Sequence, residues 1–297
     1  MDRRAALGRI GALPLLAAFA NGCAEFGDGY PASAIPRFGP VAWPEGRERT
    51  ALVLGSGGPR GFAHVGVLKV LEAAGIEPAL IIGSSAGAIV GSLYAAKINT
   101  AEIERRALNL GLTDIADPSL LRPNRLIGRA MQNFINAAVD NSLIEALPRR
   151  FCAVAAPVGK QEVVAFTSGH TGAAVRASAA LPSMFLPCTI DGVAYQDGDL
   201  VSPVPIHVAR SLGATRVVAV DVSAFFEDTP DGVPENWKTR DAERRVIIDG
   251  EAKDANMLLR IRTPYYAGAS REYRETLIRL ADAQTRAALP RLLALLK

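Results

Sequence analysis

Short, continuously apolar runs alternate along this chain with stretches in which apolar residues return every three or four positions. The run 51–54 is apolar throughout and ends in glycines, the pattern of a strand buried on both faces of a parallel sheet. In 61–74, Phe62, Val65, Leu68 and Leu71 recur at helical spacing, and Gly75 supplies a stop. The pattern predicts a second strand over 78–82 and a second helix, built of small apolar residues, over 86–97. Strand, helix, strand, helix in so short a span implies a parallel α/β sheet. Further on, 101–150 reads as helical, with Ser142 and Glu145 spaced as a capping box. The stretches 151–157 and 162–167 read as a strand pair, 171–180 as a short helix and 194–196 as a strand end. A helix over 203–212 and a buried strand over 216–222 follow. The polar stretch 225–245 is predicted to be a mobile loop and a candidate lid. Residues 270–296 read as two amphipathic helices split near Pro290. No internal repeat and no second domain is visible.

The first 49 residues follow different rules. Residues 1–22 place Arg3, Arg4 and Arg9 before an apolar run over 10–20 that is broken by Gly11 and Pro14. Eleven residues are too few to span a bilayer as a helix. The order basic, apolar, small is that of a secretory signal. Ala20-Asn21-Gly22-Cys23 resembles the lipobox of bacterial lipoproteins, with Ala20 where Leu is usual, so Cys23 is the expected lipidation site. A plain signal peptide cleaved near Cys23 is the alternative. Residues 23–49, with Pro31, Pro36, Pro40 and Pro44, read as an extended linker. The expected organisation is a signal over 1–22, a linker over 23–49 and one domain over 50–297 whose motifs lie within 51–222. The expected location is the bacterial cell envelope, on a membrane surface through the lipid anchor, or else periplasmic or secreted.

Composition narrows the class. In 297 residues, 49% are hydrophobic and 21% charged, which excludes a disordered chain, a collagen-like repeat and a small disulfide scaffold. The formal charge is +3, and +1 without residues 1–22, so nothing marks a nucleic-acid surface. Cys152 and Cys188 could pair in an oxidising compartment or be buried as small hydrophobes. No His/Cys/Asp cluster has metal-ligand spacing, and neither a metal nor a cofactor is implied.

Two glycine-rich turns carry candidate chemistry. Gly83-Ser84-Ser85-Ala86-Gly87 matches Gly-x-Ser-x-Gly at a strand-to-helix turn, where small flanking residues let the Ser85 hydroxyl rise from the sheet edge. The bland reading is a small-residue packing turn. Ser56-Gly57-Gly58-Pro59-Arg60-Gly61 also lies between a strand and a helix. It is not a dinucleotide fingerprint, because the next strand ends without an acid, and it lacks the Lys of a P-loop. Converging backbone amides suit an oxyanion hole. A serine nucleophile needs a base, and His64, His170 and His207 have no evident triad context. Asp197 in Gln196-Asp197-Gly198-Asp199 ends an apolar stretch and could present a carboxylate at a strand edge.

Taken together, the glycine loop, Gly-x-Ser-x-Gly and Asp197-Gly198 resemble the patatin-like phospholipases. His64-Val65-Gly66-Val67-Leu68, Arg176-Ala177-Ser178-Ala179-Ala180-Leu181-Pro182 and Pro203-Val204-Pro205 agree. The resemblance covers roughly 50–222. It implies a three-layer α/β sandwich with a mostly parallel central sheet flanked by helices, and a serine acyl hydrolase acting on lipid or phospholipid esters. It implies Ser85 as nucleophile, Asp197 as proton acceptor, Gly57 and Gly58 as oxyanion-hole donors with Arg60 shaping the loop, and Arg176 as a structural residue. Ser56 departs from the family's first glycine, and Asp199 replaces a Gly or Ala. Asp199 is expected to face solvent, or, if turned inward, to raise the pKa of Asp197. Two other readings remain: a non-catalytic lipid-binding lipoprotein on the same fold, and a Ser-His-Asp esterase using one of the three histidines.

Overall fold

The computed structural model describes residues 30–46 and 48–296; the expected signal and Cys23 lie outside them. The strands are β1 (Thr50–Leu54), β2 (Leu80–Ser84), β3 (Arg150–Pro157), β4 (Val164–Phe166), β5 (Cys188–Ile190), β6 (Val193–Asp197), β7 (Arg216–Asp221) and β8 (Met257–Arg260). They form one sheet in the order β5-β6-β3-β2-β1-β7-β8, with β4 also on β3. The β3-β2-β1-β7-β8 stretch is parallel, and β4, β5 and β6 add antiparallel pairs. The helices are α1 (Ala63–Ala73), α2 (Ala86–Ala95), α3 (Thr100–Asn109), α4 (Arg129–Ala138), α5 (Thr171–Ser178), α6 (Ile206–Ser211), α7 (Glu235–Ala252) and α8 (Arg271–Leu296).

Successive strand residues point to opposite faces, so the continuous apolar runs feed two cores. Leu52, Leu54, Ile81 and Phe151 join side chains of α1, α2, α5 and α8 on one face. Ala51, Val53, Ile82 and Cys152 meet Val208, Ala209 and Ile248 of α6 and α7 on the other. The result is a three-layer α/β sandwich. On the first face α8 crosses α1 closely at Gly66, where a Cβ would overlap the Ile278 carbonyl.

Several expectations are corrected here. Residues 101–150 are helical only in α3 and α4, apart from single 3-10 turns, because the stretch between them lacks a sustained apolar stripe. Ser142 and Glu145 form no capping box. The Ser142 carbonyl accepts from Thr171, and the Glu145 carboxylate accepts the Gly169 N–H. Residues 225–245 are not a loop: from Glu235 onward they belong to α7. Pro290 does not split the C-terminal segment, and α8 continues through it. Cys152 and Cys188 are buried thiols in the two different cores, so the sheet stands between them. The described part of the proline-rich stretch is mostly irregular, with a 3-10 turn at Ala32–Ala34, and it lies against the domain. Arg37 bridges Ser168, and the Trp43 indole donates to the Leu212 carbonyl at 2.8 Å.

Candidate active site

The sheet register brings Ser85 and Asp197 together. Ser84, the last residue of β2, pairs with Val154 of β3, and the next β3 residue, Ala155, pairs with Asp197 of β6. Ser85 and Asp197 therefore flank β3 at one level, at the edge where the parallel strands end, the usual crevice of open α/β sheets. The Ser85 hydroxyl donates to Asp197 Oδ2 at 2.8 Å, and both residues are buried.

Each side chain is held by its own turn. Ser85 has φ 53° and ψ −120°, well off the left-handed helical well and strained for a residue with a Cβ. It caps α2, whose positive end faces the hydroxyl. Its N–H donates to Ser178 Oγ at 3.0 Å, which ties the turn to α5. Gly83, next to last on β2, lets α2 pass close to the strand, since a Cβ there would overlap the Ala88 backbone. Gly87 lets the first turn of α2 pass under the glycine loop, since a Cβ there would overlap the Leu54 carbonyl. Asp197 caps the 3-10 turn Gly198–Leu200, and its Oδ1 accepts the Asp199 N–H at 2.8 Å.

The glycine loop crosses the same point. The N–H groups of Gly55 and Ser56 are spent on the Val220 and Pro203 carbonyls. Gly57 and Gly58 open the 3-10 turn Gly58–Phe62, where the first N–H groups have no intrahelical acceptor. Gly58 has φ +54°, which a glycine adopts without penalty. Gly61 abuts Ala86, the residue after Ser85, so the turn lies against the start of α2. Arg60 engages the chain after β8: its Nε donates to the Pro264 carbonyl at 3.4 Å, and its guanidinium lies 5.9 Å from the Tyr265 ring centroid.

Asp199 does not face solvent. Its carboxylate is buried and accepts hydrogen bonds from Ser56 Oγ and from Arg244 Nε and Nη2, the last two at 2.8 and 2.5 Å. Arg244, on α7, also donates to Asp241 at 3.0 Å, and Tyr265 donates to the other Asp241 oxygen at 2.9 Å. Asp199 thus joins the glycine loop, the Asp197 turn and α7. Burial and the neighbouring Asp199 charge push the Asp197 carboxyl up to about 7, against the pull of the Asp199 N–H, the Ser85 hydroxyl and Arg244. Burial opposes ionisation of Asp199 too, but the Arg244 charge and hydrogen bonds more than offset it and hold Asp199 below the usual range. The sequence reading missed Arg244, because the segment carrying it read as loop. Ser178 stands out in the sequence only as a member of the segment 176–182.

The histidines are engaged elsewhere. His64 is fully buried with its Nε2 at 2.8 Å from the Gly55 carbonyl, and desolvation lowers its pKa to about 4. His170 Nδ1 accepts the Ala173 N–H at the start of α5, and His207 meets Asp254 at 2.8 Å on the surface. Arg176 is buried, with Nη2 on the Ile127 carbonyl and Nη1 on Gln132. Among the described residues no His/Cys/Asp/Glu group could hold a metal ion, and no helix is long and apolar enough to cross a membrane. A buried hydroxyl hydrogen-bonded to a carboxylate of raised pKa, at a turn packed against a glycine-rich loop, has the chemistry of an acyl-transfer nucleophile.

An uncharacterised NTE family protein of Mycobacterium tuberculosis is 33% identical over 204 residues, covering 68% of this chain and 54% of its own length. Human patatin-like phospholipase domain-containing protein 6 is 34% identical over 186 residues, 60% of this chain and 14% of that protein. Lysophospholipase NTE1 of Coccidioides immitis is 34% identical over 190 residues, 61% of this chain and 12% of that protein. The chain thus spans about half the length of the mycobacterial relative and far less of the other two. Among solved structures, VipD from Legionella pneumophila shares the fold, with a TM-score of 0.52 at 12% identity over 86% of this chain and 70% of that one. The patatin-like phospholipase family profile matches residues 52–210, more than half of the sequence and every motif from the glycine loop to Asp197, and the chain belongs to that family.

Proposed function

We propose that this protein hydrolyses carboxylic esters of lipids through Ser85 and Asp197. The observation that carries the reading is the 2.8 Å hydrogen bond from the Ser85 hydroxyl to a buried carboxylate at a strained turn. Ser85 Oγ attacks the acyl carbonyl as its proton passes to Asp197. The Gly57 and Gly58 amides receive the developing oxyanion. Collapse expels the alcohol, which takes the proton, and leaves an acyl-serine. Water then attacks, giving its proton to Asp197, and the fatty acid departs as Ser85 is restored. An apolar wall supports a lipid acyl group: Ile89, one helical turn after Ser85, packs on Met131, Ala179, Ala180 and Phe185. The relatives named as a phospholipase-domain protein and a lysophospholipase favour a phospholipid or lysophospholipid substrate. In the same reading residues 1–22 direct export and Cys23 carries lipid that places the enzyme on a membrane of the cell envelope. Mass spectrometry of the protein from membranes tests that part, and an unmodified Cys23 would exclude it.

The test of the chemistry is hydrolysis of a short chromogenic ester and of a lysophospholipid by the full chain. Ser85→Ala and Asp197→Asn each lose about 100-fold or more, while single replacements of His170 and His207 retain activity. Wild type no faster than Ser85→Ala on every ester would replace this reading with a lipid-binding lipoprotein.

A further inference from the structure

Between α3 and α4 the chain builds a small, ordered projection. Leu120 is 92% exposed and Leu121 60%, and Met184, on a neighbouring loop, is 48% exposed. The tip is a hydrogen-bonded turn. The Ser119 N–H donates to the Arg125 carbonyl at 2.8 Å, the Arg122 N–H to Ser119 Oγ at 3.0 Å and the Arg125 N–H to the Arg122 carbonyl at 3.1 Å. Asn124 takes φ +68° to close it. The base is clamped by the Asp117 carboxylate, which accepts the Gly128 and Ala130 N–H groups at 2.7 and 2.9 Å. Exposed leucines on so fixed a turn are not hidden by local collapse.

The projection is fastened to the Ser85 site. The Leu126 N–H donates to the Met184 carbonyl at 2.9 Å, and the Leu186 N–H to the Leu126 carbonyl at 2.8 Å. Leu126 packs against the Met131, Ala179, Ala180 and Phe185 cluster, and the Ala180 carbonyl accepts the Asp197 N–H at 3.1 Å. Above its Asp117 base the projection carries only positive charge. Arg122 and Arg125 follow the leucines, no acid occurs from 118 to 130, and neither guanidinium makes an ion pair among the described residues. A convex tip of two leucines is too small for a stable protein interface, which needs about 800 Å² per partner. Exposed leucines and cations side by side on one turn match the apolar interior and anionic headgroups that a lipid surface offers together.

We propose that residues 119–125, with Met184, form a docking tip that seats on an anionic lipid surface. Leu120 and Leu121 enter the acyl region, and Arg122 and Arg125 meet the headgroups. The proposal rests on the lipid-ester reading of the Ser85 site only for why the tip stands beside that site. Docking needs no turnover, so the two readings fail separately.

The test is co-sedimentation of the full chain carrying Ser85→Ala and Cys23→Ser, with phosphatidylcholine vesicles that contain or lack phosphatidylglycerol. Residues 1–22 are common to every arm. The parent protein partitions onto the phosphatidylglycerol vesicles. Leu120→Ser with Leu121→Ser lowers partitioning about tenfold or more. Arg122→Gln with Arg125→Gln removes the preference for phosphatidylglycerol and its salt dependence. The same loop changes in the Ser85 chain leave turnover of a water-soluble short ester unchanged. A parent that does not bind vesicles, or a leucine pair variant that binds as the parent does, overturns the proposal. Vesicle docking without soluble-ester turnover upholds the tip and rejects only the hydrolase reading.

Discussion

At the scale of single residues, the proposed reaction turns on when Asp197 is ionised. A protonated carboxyl cannot take the Ser85 proton, so activity needs Asp197 in its charged form. Burial and the Asp199 charge push it up to about 7. The charged groups around it are Asp199 on its own turn and Arg244 and Asp241 on α7. We therefore expect kcat/KM to fall on acidification through about pH 7. Asp199→Asn removes a like charge and leaves Arg244 facing Asp197, and both changes favour the carboxylate. The acid limb then moves to lower pH. A pH–rate profile of the two proteins decides it, and a limb that stays in place would show that Asp199 does not act on Asp197 by charge.

At the scale of elements, α7 converts a polar stretch into a strut. Its buried side chains are Asp241, Ile248 and Glu251, so the face it turns inward is largely polar. Glu251 accepts from Ser202 Oγ and from the His207 N–H, while Arg244 pairs with Asp199. Removing one member of a buried pair strands the other charge at a cost of about 3–5 kcal/mol. Arg244→Met should therefore lower unfolding stability in urea by that order at pH 8. Asp199 is held below the ordinary carboxylate range, so its contribution is present above the unfolded pKa and is lost as pH falls. The deficit of Arg244→Met accordingly shrinks on acidification. A variant as stable as wild type at pH 8 would mean that the pair contributes nothing to holding α7.

At the scale of the molecule, the sheet separates two cores and gathers the chemistry at one edge. Cys152 lies in one core and Cys188 in the other, and burial raises the Cys152 thiol pKa. With Cys23 replaced by Ser, both thiols should resist a thiol reagent at pH 8 until denaturant is added, and reductant should leave Tm unchanged. Loss of two thiols on air oxidation of the native monomer would contradict this arrangement.

How much of this was legible in the sequence follows from the range of the forces involved. The turns at Ser85 and at Gly57-Gly58 are local: small residues between an apolar strand and a small-residue helix leave the backbone few other choices, so the residues announce them. The parallel strands were legible because a strand buried on both faces must be apolar throughout. Asp197 could be singled out as a carboxylate at a strand end, but its distance from Ser85 is a matter of register across β3. The inward turn of Asp199 was decided by a partner 45 positions away on a helix with no apolar stripe to betray it. The separation of the cysteines, the continuity of α8 through Pro290 and the path of the proline-rich stretch along the domain likewise depend on what lies opposite in space. By itself the sequence determined the local turns and the strand-helix alternation, because those answer to neighbours in the chain. Only the tertiary structure decided which charges meet, because burial and pairing answer to neighbours in space.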